Sequence, residues 1–298
     1  MSLDILSRNK ELSYFSGTWY LTGPTASGKT ALGIALAKQL DAEIISMDSM
    51  AIYRFMDIGT AKPTPAERAE VPHHLIDILD PSEEFSVSDY LQAAKQAALE
   101  IRFRGKQVLY VGGTPLYLKG LLRGLFEGPS ADPVLREELT RLADSGGNLH
   151  QRLAEIDPST ARRLHPNDHR RIIRAIEVYE STGKPISFHQ TQFDTPASKA
   201  EHQVFVLDWE KEELNRRIDR RVEMMFEQGF LEEARSLSKR PLSKTASQAV
   251  GYKELFDHFA GKQSLEETVA LIQLHTRQFA KRQRTWFRSL PECQFVSQ

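Results

Sequence analysis

Residues 20–33 read YLTGPTASGKTALG, and within them the segment 23–30 fits the phosphate-loop pattern G-x-x-x-x-G-K-[ST] at every fixed position. Its two glycines let the backbone turn so that successive amides face an anion at the start of a helix. We predict that the phosphate-binding residues are Gly23, Pro24, Thr25, Ala26, Ser27, Gly28, Lys29 and Thr30, with the Thr30 hydroxyl as a candidate Mg²⁺ ligand. The pattern does not say whether a triphosphate is hydrolysed or a pyrophosphate is held.

The segments on either side of this loop predict an α/β fold. A buried strand precedes the loop and an amphipathic helix follows it, which is the order that a phosphate loop requires. Further strands are predicted over 42–47, 74–79 and 107–113, and further helices over 86–104 and 114–122. Strands that alternate with helices indicate a parallel sheet flanked by helices on both faces, as in P-loop NTPase-like folds.

The chain changes character after Gly124. Residues 124–200 contain little strand pattern and predict an inserted, all-helical subdomain, whereas residues 202–209 (HQVFVLDW) return to strand character. We therefore predict three parts: a first part of the α/β core at 1–123, a helical insertion at 124–200, and a second part of the core at 201–298 with a strand and C-terminal helices.

Composition and charge narrow the classes of function. The 298 residues are 40% hydrophobic and carry a formal net charge of −1, which argues against non-specific coating of nucleic acid or anionic membrane. The single cysteine, Cys293, excludes an intrachain disulfide and a thiolate zinc site. No apolar run approaches the roughly 20 residues of a membrane span, and the first residues lack the core of a signal peptide. We expect a soluble, cytoplasmic protein that does not contact membranes.

Two polar residues follow predicted strands. Asp48 follows the strand at 42–47, and ligands of open α/β sheets lie at the carboxyl ends of the strands. This carboxylate can hold Mg²⁺, accept a hydrogen bond from an acceptor substrate, or simply cap a helix. Thr114 follows the strand at 107–113, where its hydroxyl either reaches the phosphate pocket or caps the next helix. That strand ends in glycines and therefore lacks the acid that ATPases usually place there.

Two stretches are rich in basic residues. Residues 162–174 (RRLHPNDHRRIIR) contain five arginines and one acid, and residues 275–288 (HTRQFAKRQRTWFR) contain five basic residues and no acid, with three aromatic residues among them. Basic patches with aromatic residues are typical of RNA binding. The alternative is a solvated helix face with the aromatic residues in the core. Because the net charge is near zero, acidic surface must balance these stretches, and we assign residues 210–219 (EKEELNRRID) and 229–234 (GFLEEA) to that surface.

Seven segments, in this order, resemble the tRNA dimethylallyltransferase family, also called tRNA isopentenyltransferases. They are GPTASGKT (23–30), DSMAIYRFMDIGTAKP (48–63), PHHLIDILDPSEEFSVSDY (72–90), VGGTPLYLKGLL (111–122), LHPNDHRRIIRAIEVYESTGKP (164–185), AVGYKEL (249–255) and TRQFAKRQRTWFR (276–288). The resemblance implies transfer of a dimethylallyl group from dimethylallyl diphosphate to N6 of adenosine-37, on the 3′ side of the anticodon, in tRNAs that read codons beginning with U. The loop would then hold a diphosphate, and no ATP would be consumed.

The resemblance also implies roles for individual residues. Asp48 would be the base that accepts a hydrogen bond from the adenine amine, Lys29 would stabilise the leaving diphosphate together with a Mg²⁺ cofactor, and Thr114 would lie near the diphosphate. The implied tRNA-binding residues are Asp48, Ser49, Met50, Ala51, Arg136, Arg170, Arg171, Ile172, Ile173, Arg174, Gln248, Ala249, Val250, Gly251, Tyr252, Lys253, Lys281, Arg282, Gln283, Arg284, Thr285, Trp286, Phe287 and Arg288. The insertion would clasp the anticodon stem-loop, and we expect a monomer. The chain ends ten residues after Arg288, without the zinc finger of eukaryotic relatives, which indicates a bacterial type.

Three alternatives remain open from the residues themselves. A phosphate-loop kinase of a small molecule would bind ATP in the loop and place Asp48 beside an acceptor hydroxyl. An adenylate isopentenyltransferase would prenylate a free nucleotide and would need no RNA-binding insertion. A nucleotide-switched RNA-binding protein would bind RNA without any transfer chemistry.

Overall fold

The computed structural model describes residues 18–124, 128–189 and 202–298. The described residues of 1–122 and 197–298 form one compact unit, and those of 123–196 form a second. The second unit covers a range close to that of the insertion expected at 124–200.

The first unit contains the sheet, and both units contain helices. The strands are β1 (Thr18–Thr22), β2 (Ala42–Ser46), β3 (His73–His74), β4 (Gln107–Val111), β5 (His202–Asp208) and β6 (Cys293–Ser297). The helices are α1 (Lys29–Leu40), α2 (Pro65–Glu70), α3 (Val87–Phe103), α4 (Pro115–Arg123), α5 (Pro133–Asp144), α6 (Leu149–Ile156), α7 (Pro158–Arg163), α8 (His169–Thr182), α9 (Ile186–His189), α10 (Lys211–Glu227), α11 (Phe230–Leu237), α12 (Lys244–Ser247), α13 (Tyr252–Phe259) and α14 (Leu265–Arg288). Helices α5 to α9 belong to the second unit. No helix within the described ranges is long and apolar enough to cross a bilayer.

The sheet of the first unit is parallel throughout its described strands. Their order is β3-β2-β4-β1-β5-β6, and Tyr20 of β1 lies in register with Tyr110 of β4 and Val204 of β5. The parallel sheet flanked by helices is therefore confirmed. Because parallel strands end at the same edge, the loops that follow β1, β2 and β4 emerge side by side, and this edge is where such sheets bind ligands.

Helices cover both faces of the sheet because side chains alternate along each strand. On one face, Ile34 of α1 packs with Leu109 of β4 in a buried cluster. On the other, Tyr90 of α3 and Phe287 of α14 pack in a cluster with Tyr20. Full burial of a large apolar side chain contributes about 1.5–3 kcal/mol, so these contacts fix the sheet that carries the loops.

One predicted strand was wrong, and one strand was not predicted. The segment 74–79 forms no continuous strand: it pairs with β2 at His74 and by an isolated bridge from Leu79 to Tyr53, because Leu75 and Asp77 adopt φ angles of +60° and +58° that interrupt an extended strand. The strand β6 was missed altogether. It pairs with β5 at the edge of the sheet and is partly exposed, so its short sequence lacks the apolar run of a buried strand.

The second unit has a core of its own. Leu153 and Ile172 are fully buried in it, and the buried carboxylate of Glu177 accepts hydrogen bonds from Arg136 (Nε to Oε1, 2.8 Å) and Arg174 (Nη1 to Oε2, 2.5 Å). Burial by itself would raise the pKa of Glu177, but the hydrogen bonds from the two arginines outweigh it and hold the pKa below its usual value. The ionised carboxylate therefore joins α5 to α8.

Candidate active site

The predicted phosphate loop joins β1 to α1 at the carboxyl edge of the sheet. Gly23 and Gly28 have φ angles of +147° and +91°, which side chains disfavour. A Cβ atom on Gly23 would lie only 2.7 Å from the carbonyl oxygen of Leu207, so the turn requires glycine there. Helix α1 begins directly after the turn, and its N-terminal amides and dipole favour an anion at this point.

Lys29 is held against the backbone of its own loop. Its Nζ donates to the carbonyl oxygens of Gly23 (3.0 Å) and Pro24 (2.7 Å). Desolvation, together with the positive charge of Arg221, lowers the pKa of Lys29 to about 7, while Asp48 acts in the opposite direction. The lysine is therefore close to its titration midpoint at neutral pH, and an anion nearby will favour its charged form.

Helix α10 brings two further arginines to the loop. Arg217 donates from Nε to the carbonyl oxygen of Ala26 (2.9 Å), and its guanidinium lies 4.1 Å from the ring centroid of Trp209. Arg221 donates to the Oγ1 of Thr25, its buried Nε has no hydrogen-bond partner among the described residues, and desolvation lowers its pKa to about 10. These residues lie in or beside the segment that we assigned to acidic surface, so that assignment was wrong for this face of α10.

Asp48 follows β2 and turns its carboxylate back onto the chain. Its Oδ1 accepts the N–H groups of Met50 (2.8 Å) and Ala51 (3.2 Å). The Oγ1 of Thr114 accepts the N–H of Ser49 (3.1 Å), so the loops after β2 and β4 are tied together. The structure thus gives Thr114 a contact with the Asp48 loop, and its predicted place near a diphosphate stays a prediction.

The chain that follows Asp48 is fixed by two charged residues, Lys62 and Glu233, whose role the sequence analysis did not predict; Glu233 lies in the segment 229–234 that we assigned to acidic surface. Lys62, almost completely buried, donates to the carbonyl oxygen of Tyr53 (2.8 Å) and pairs with Asp57 (2.5 Å) and Asp77 (2.6 Å). Glu233 accepts the N–H groups of the three successive residues 57–59 at 2.8–3.1 Å. These bonds fix the conformation of the segment 48–62, which we call the acceptor segment.

The phosphate loop and the acceptor segment line the same cleft. It has a volume of about 710 Å³ and is lined by the residues of the phosphate loop from Thr25 to Thr30, by Asp48 and Lys62, and by Arg217 and Arg221 of α10. The cleft therefore combines a cationic cradle for an anion with a carboxylate that can accept a proton.

The predicted RNA-binding residues separate by burial. The exposed ones are Arg170, Arg171, Gln248, Lys253, Lys281, Arg282, Thr285 and Arg288, and those of intermediate exposure are Asp48, Ser49, Met50, Arg136, Arg174, Val250, Arg284 and Trp286. The buried ones are Ala51, Ile172, Ile173, Ala249, Gly251, Tyr252, Gln283 and Phe287. Their side chains are turned away from the surface of the described residues, so for this third group a role in binding tRNA stays a prediction and would be indirect.

Several of the cationic side chains have acidic partners. Arg284 and Arg288 both pair with Asp208 (2.8 and 3.3 Å), as Arg136 and Arg174 do with Glu177. By contrast, within the described ranges no acidic side chain lies within 4.0 Å of the charged groups of the exposed set Arg170, Lys253, Lys281 and Arg282. These four remain the strongest candidates for contact with phosphate.

Comparisons with known proteins identify the family to which the chain belongs. Residues 51–290 match the family model described as IPP transferase, and residues 17–77 match the one described as isopentenyl transferase. A protein named tRNA dimethylallyltransferase 2, from Geotalea uraniireducens, is 47% identical over 280 residues, which cover 93% of this chain and 90% of the relative. The chain belongs to the tRNA dimethylallyltransferase family. The family and enzyme class predicted from seven short segments are thereby confirmed.

Solved structures of tRNA dimethylallyltransferases share the fold. The full-length tRNA isopentenylpyrophosphate transferase of Bacillus halodurans is 41% identical with a TM-score of 0.70, and the match covers 95% of this chain and 90% of that one. A eukaryotic dimethylallyltransferase acting on tRNA is 29% identical with a TM-score of 0.78, covering 94% and 73%. The higher identity to the bacterial proteins agrees with the bacterial type predicted from the sequence.

Proposed function

We propose that the protein transfers the dimethylallyl group of dimethylallyl diphosphate to N6 of adenosine-37 in tRNAs that read codons beginning with U. The products are N6-(dimethylallyl)adenosine and diphosphate, and no ATP is consumed. The observation that carries this proposal is a single cleft that combines a phosphate loop, extra cations and the carboxylate of Asp48 in a member of this family.

The donor site suits a diphosphate leaving group. As the bond between the allylic carbon and the diphosphate oxygen breaks, its electron pair leaves with the diphosphate and negative charge grows on that group. Lys29, Arg221 and the loop amides stabilise this charge where it develops. The buried Nε of Arg221, which has no partner within the described ranges, is a donor that such an anion would satisfy.

Asp48 takes the proton that the reaction releases. The adenine N6 forms the new bond to the allylic carbon and must lose one proton, which a carboxylate can accept as general base. Because the N–H groups of Met50 and Ala51 hold Oδ1, they orient the carboxylate and leave Oδ2 for the adenine amine. The adenosine must leave the stack of the anticodon loop to reach this enclosed site.

We propose Mg²⁺ as the cofactor, with the Thr30 hydroxyl as its protein ligand. Thr30 lines the cleft next to Lys29, and the described residues hold no cluster of three acidic, histidine or cysteine side chains that would form a separate cage. A single hydroxyl fits Mg²⁺, which commonly takes most of its ligands from substrate phosphates and water. When bound, the ion would neutralise part of the diphosphate charge.

The exposed cations of α14 are proposed to contact the phosphates of the tRNA. Replacing Arg282 by alanine is expected to weaken tRNA binding about 3- to 10-fold and to lower the slope of log affinity against log salt by about one, because one phosphate contact is lost. Affinity for dimethylallyl diphosphate should not change. Filter binding of unmodified tRNA at several salt concentrations measures both quantities. Lys95→Ala removes the same charge from the exposed face of α3 and serves as the control. Equal tRNA affinity in the two variants would contradict the assignment.

The clasping role of the insertion and the monomeric state stay predictions.

Binding of the donor should take up a proton at Lys29. At pH 8 a lysine whose pKa is about 7 is mostly neutral, and the diphosphate favours its charged form, so binding adds up to one proton; at pH 6 the lysine is already charged and this uptake disappears. Calorimetric titration in buffers of different ionisation enthalpy counts the protons. In a Lys29→Arg variant the side chain is always charged, while protons exchanged by the ligand itself are the same, so the extra uptake at pH 8 should vanish. An identical proton count in both proteins would refute the shifted lysine.

The reaction itself is tested by transfer of label. The purified protein is incubated with Mg²⁺ and radiolabelled dimethylallyl diphosphate, with unmodified tRNA or AMP as acceptor. Label in tRNA, located at adenosine-37 by nuclease digestion, is the expected result. Label in AMP alone would indicate an adenylate isopentenyltransferase, and hydrolysis of added ATP without any label transfer would indicate a kinase or a nucleotide-switched protein.

A further inference from the structure

Gln283 connects two loops at the edge of the sheet. It lies on α14 and is only 3% exposed. Both ends of its side-chain amide form hydrogen bonds. The Oε1 accepts the N–H of Thr25 in the phosphate loop (2.9 Å), and the Nε2 donates to the carbonyl oxygen of Gly113 after β4 (2.7 Å). A Cβ atom on Gly113 would lie 2.6 Å from that Nε2, so a glycine is needed for the amide to approach.

The contacts of Thr25 show what this amide does. Its backbone N–H is held by Gln283, and its hydroxyl is held by Arg221 of α10. The first turn of the phosphate loop is thus fixed from two helices that are distant from it in sequence. The neighbours Lys281 and Arg282 are exposed whereas Gln283 is buried, so its amide does not lie on the surface that is proposed to contact RNA.

We propose that Gln283 is a positioning residue for the donor site, which holds the phosphate loop at a fixed distance from the loop after β4. The proposal rests on the proposed function, in which this loop binds the diphosphate of the prenyl donor. A planar amide suits the position because it accepts at one end and donates at the other, and leaving either loop group unpaired in a buried site is costly. Loss of this amide should therefore weaken donor binding and leave tRNA binding largely intact.

The decisive variant is Gln283→Glu. Its carboxylate still accepts the Thr25 N–H, but above its pKa it places a negative oxygen against the Gly113 carbonyl oxygen and behind an anion site. We expect the affinity for inorganic pyrophosphate, measured by calorimetry with Mg²⁺ and without tRNA, to fall about 10-fold, with an equal rise in KM for dimethylallyl diphosphate. The affinity for tRNA should change less than about twofold.

The controls separate positioning from general stability. Gln278→Glu makes the same change on an exposed position of α14 and should bind pyrophosphate as the wild type does. Gln283→Leu removes both hydrogen bonds without adding a charge, and it should also weaken pyrophosphate binding. Wild-type pyrophosphate affinity in folded Gln283→Glu and Gln283→Leu, or a loss confined to tRNA affinity, would overturn the proposal. Pyrophosphate binding requires no acceptor, so this test is independent of the label-transfer test. If the wild type prenylated no acceptor, the proposed function would be rejected. The pyrophosphate titrations would still decide whether Gln283 positions the phosphate loop.

Discussion

Replacing Asp48 by asparagine is expected to lower the turnover number by about 10³-fold, because the variant cannot take the proton from the adenine amine, and general-base catalysis commonly contributes 10²- to 10⁴-fold. Asparagine has nearly the same shape and keeps an oxygen that can accept the N–H groups of Met50 and Ala51, so the turn after β2 should survive. Single-turnover assays with saturating tRNA and donor measure the chemical step. Donor affinity, measured by pyrophosphate titration, should stay within about threefold, since the cradle lies on the loop after β1.

The second unit supplies a matched control for this substitution. The Oδ1 of Asp132 accepts the N–H groups of Val134 (3.0 Å) and Leu135 (3.1 Å), which is the same pattern as at Asp48, but at the start of α5. Asp132→Asn should therefore show the full single-turnover rate. If Asp48→Asn also retained the wild-type rate, Asp48 would only cap its turn, and the base would have to be sought elsewhere in the cleft.

Features set by local sequence were predictable. The phosphate loop and α1 follow from a short pattern. The helix predicted over 86–104 is α3, which begins at Val87 because Ser86 and Asp89, three residues apart, form a capping box. Asp48 could be placed at the sheet edge because it follows a buried strand in an alternating α/β pattern. In each case the residues that decide the structure lie within a few positions of one another.

Features set by distant contacts were not predictable in this way. Arg217 and Arg221 reach the loop across 191 and 196 residues of sequence, from a helix that also contains many acidic residues. The helical period of α10 nevertheless indicates which of its arginines face inward. The buried positions Leu214, Ile218 and Val222 define the inner stripe of α10, and the two arginines flank it, whereas Arg216 and Arg220 are exposed and pair with glutamates.

The same periodicity distinguishes the residues of α14 that can face a ligand from those that cannot. Buried residues recur at Ile272, Thr276, Ala280, Gln283 and Phe287, a spacing of three or four that marks one face of a helix. The family segment 281–288 was assigned to RNA as a block, although only part of a helical segment can face a ligand. Applying the helical period to that block separates Lys281 and Arg282, which are exposed, from Gln283 and Phe287, which support the core.

Replacing Arg221 by glutamine is expected to lower kcat/KM for dimethylallyl diphosphate by about 10²-fold, since removal of one preorganised donor to a developing anion commonly costs 10²- to 10³-fold. Glutamine ends about where the Nε of Arg221 lies, so the variant loses both the positive charge and the bond from Nη2 to the Thr25 hydroxyl. Affinity for tRNA should be unchanged. Steady-state kinetics with each substrate varied in turn separates the two effects, and Arg235→Gln on α11, which removes the same charge outside the residues that line the cleft, is the control.

The Arg221→Gln variant carries a second, independent signature. Arg221 is one of the causes that lower the pKa of Lys29, so its removal should raise that pKa above about 7. More Lys29 would then be charged at pH 8 before the donor binds, and the proton uptake on binding should decrease at that pH. A variant with reduced kcat/KM but unchanged proton uptake would mean that Arg221 contacts the diphosphate without setting the charge of Lys29. Unchanged values of both quantities would remove Arg221 from the donor site altogether.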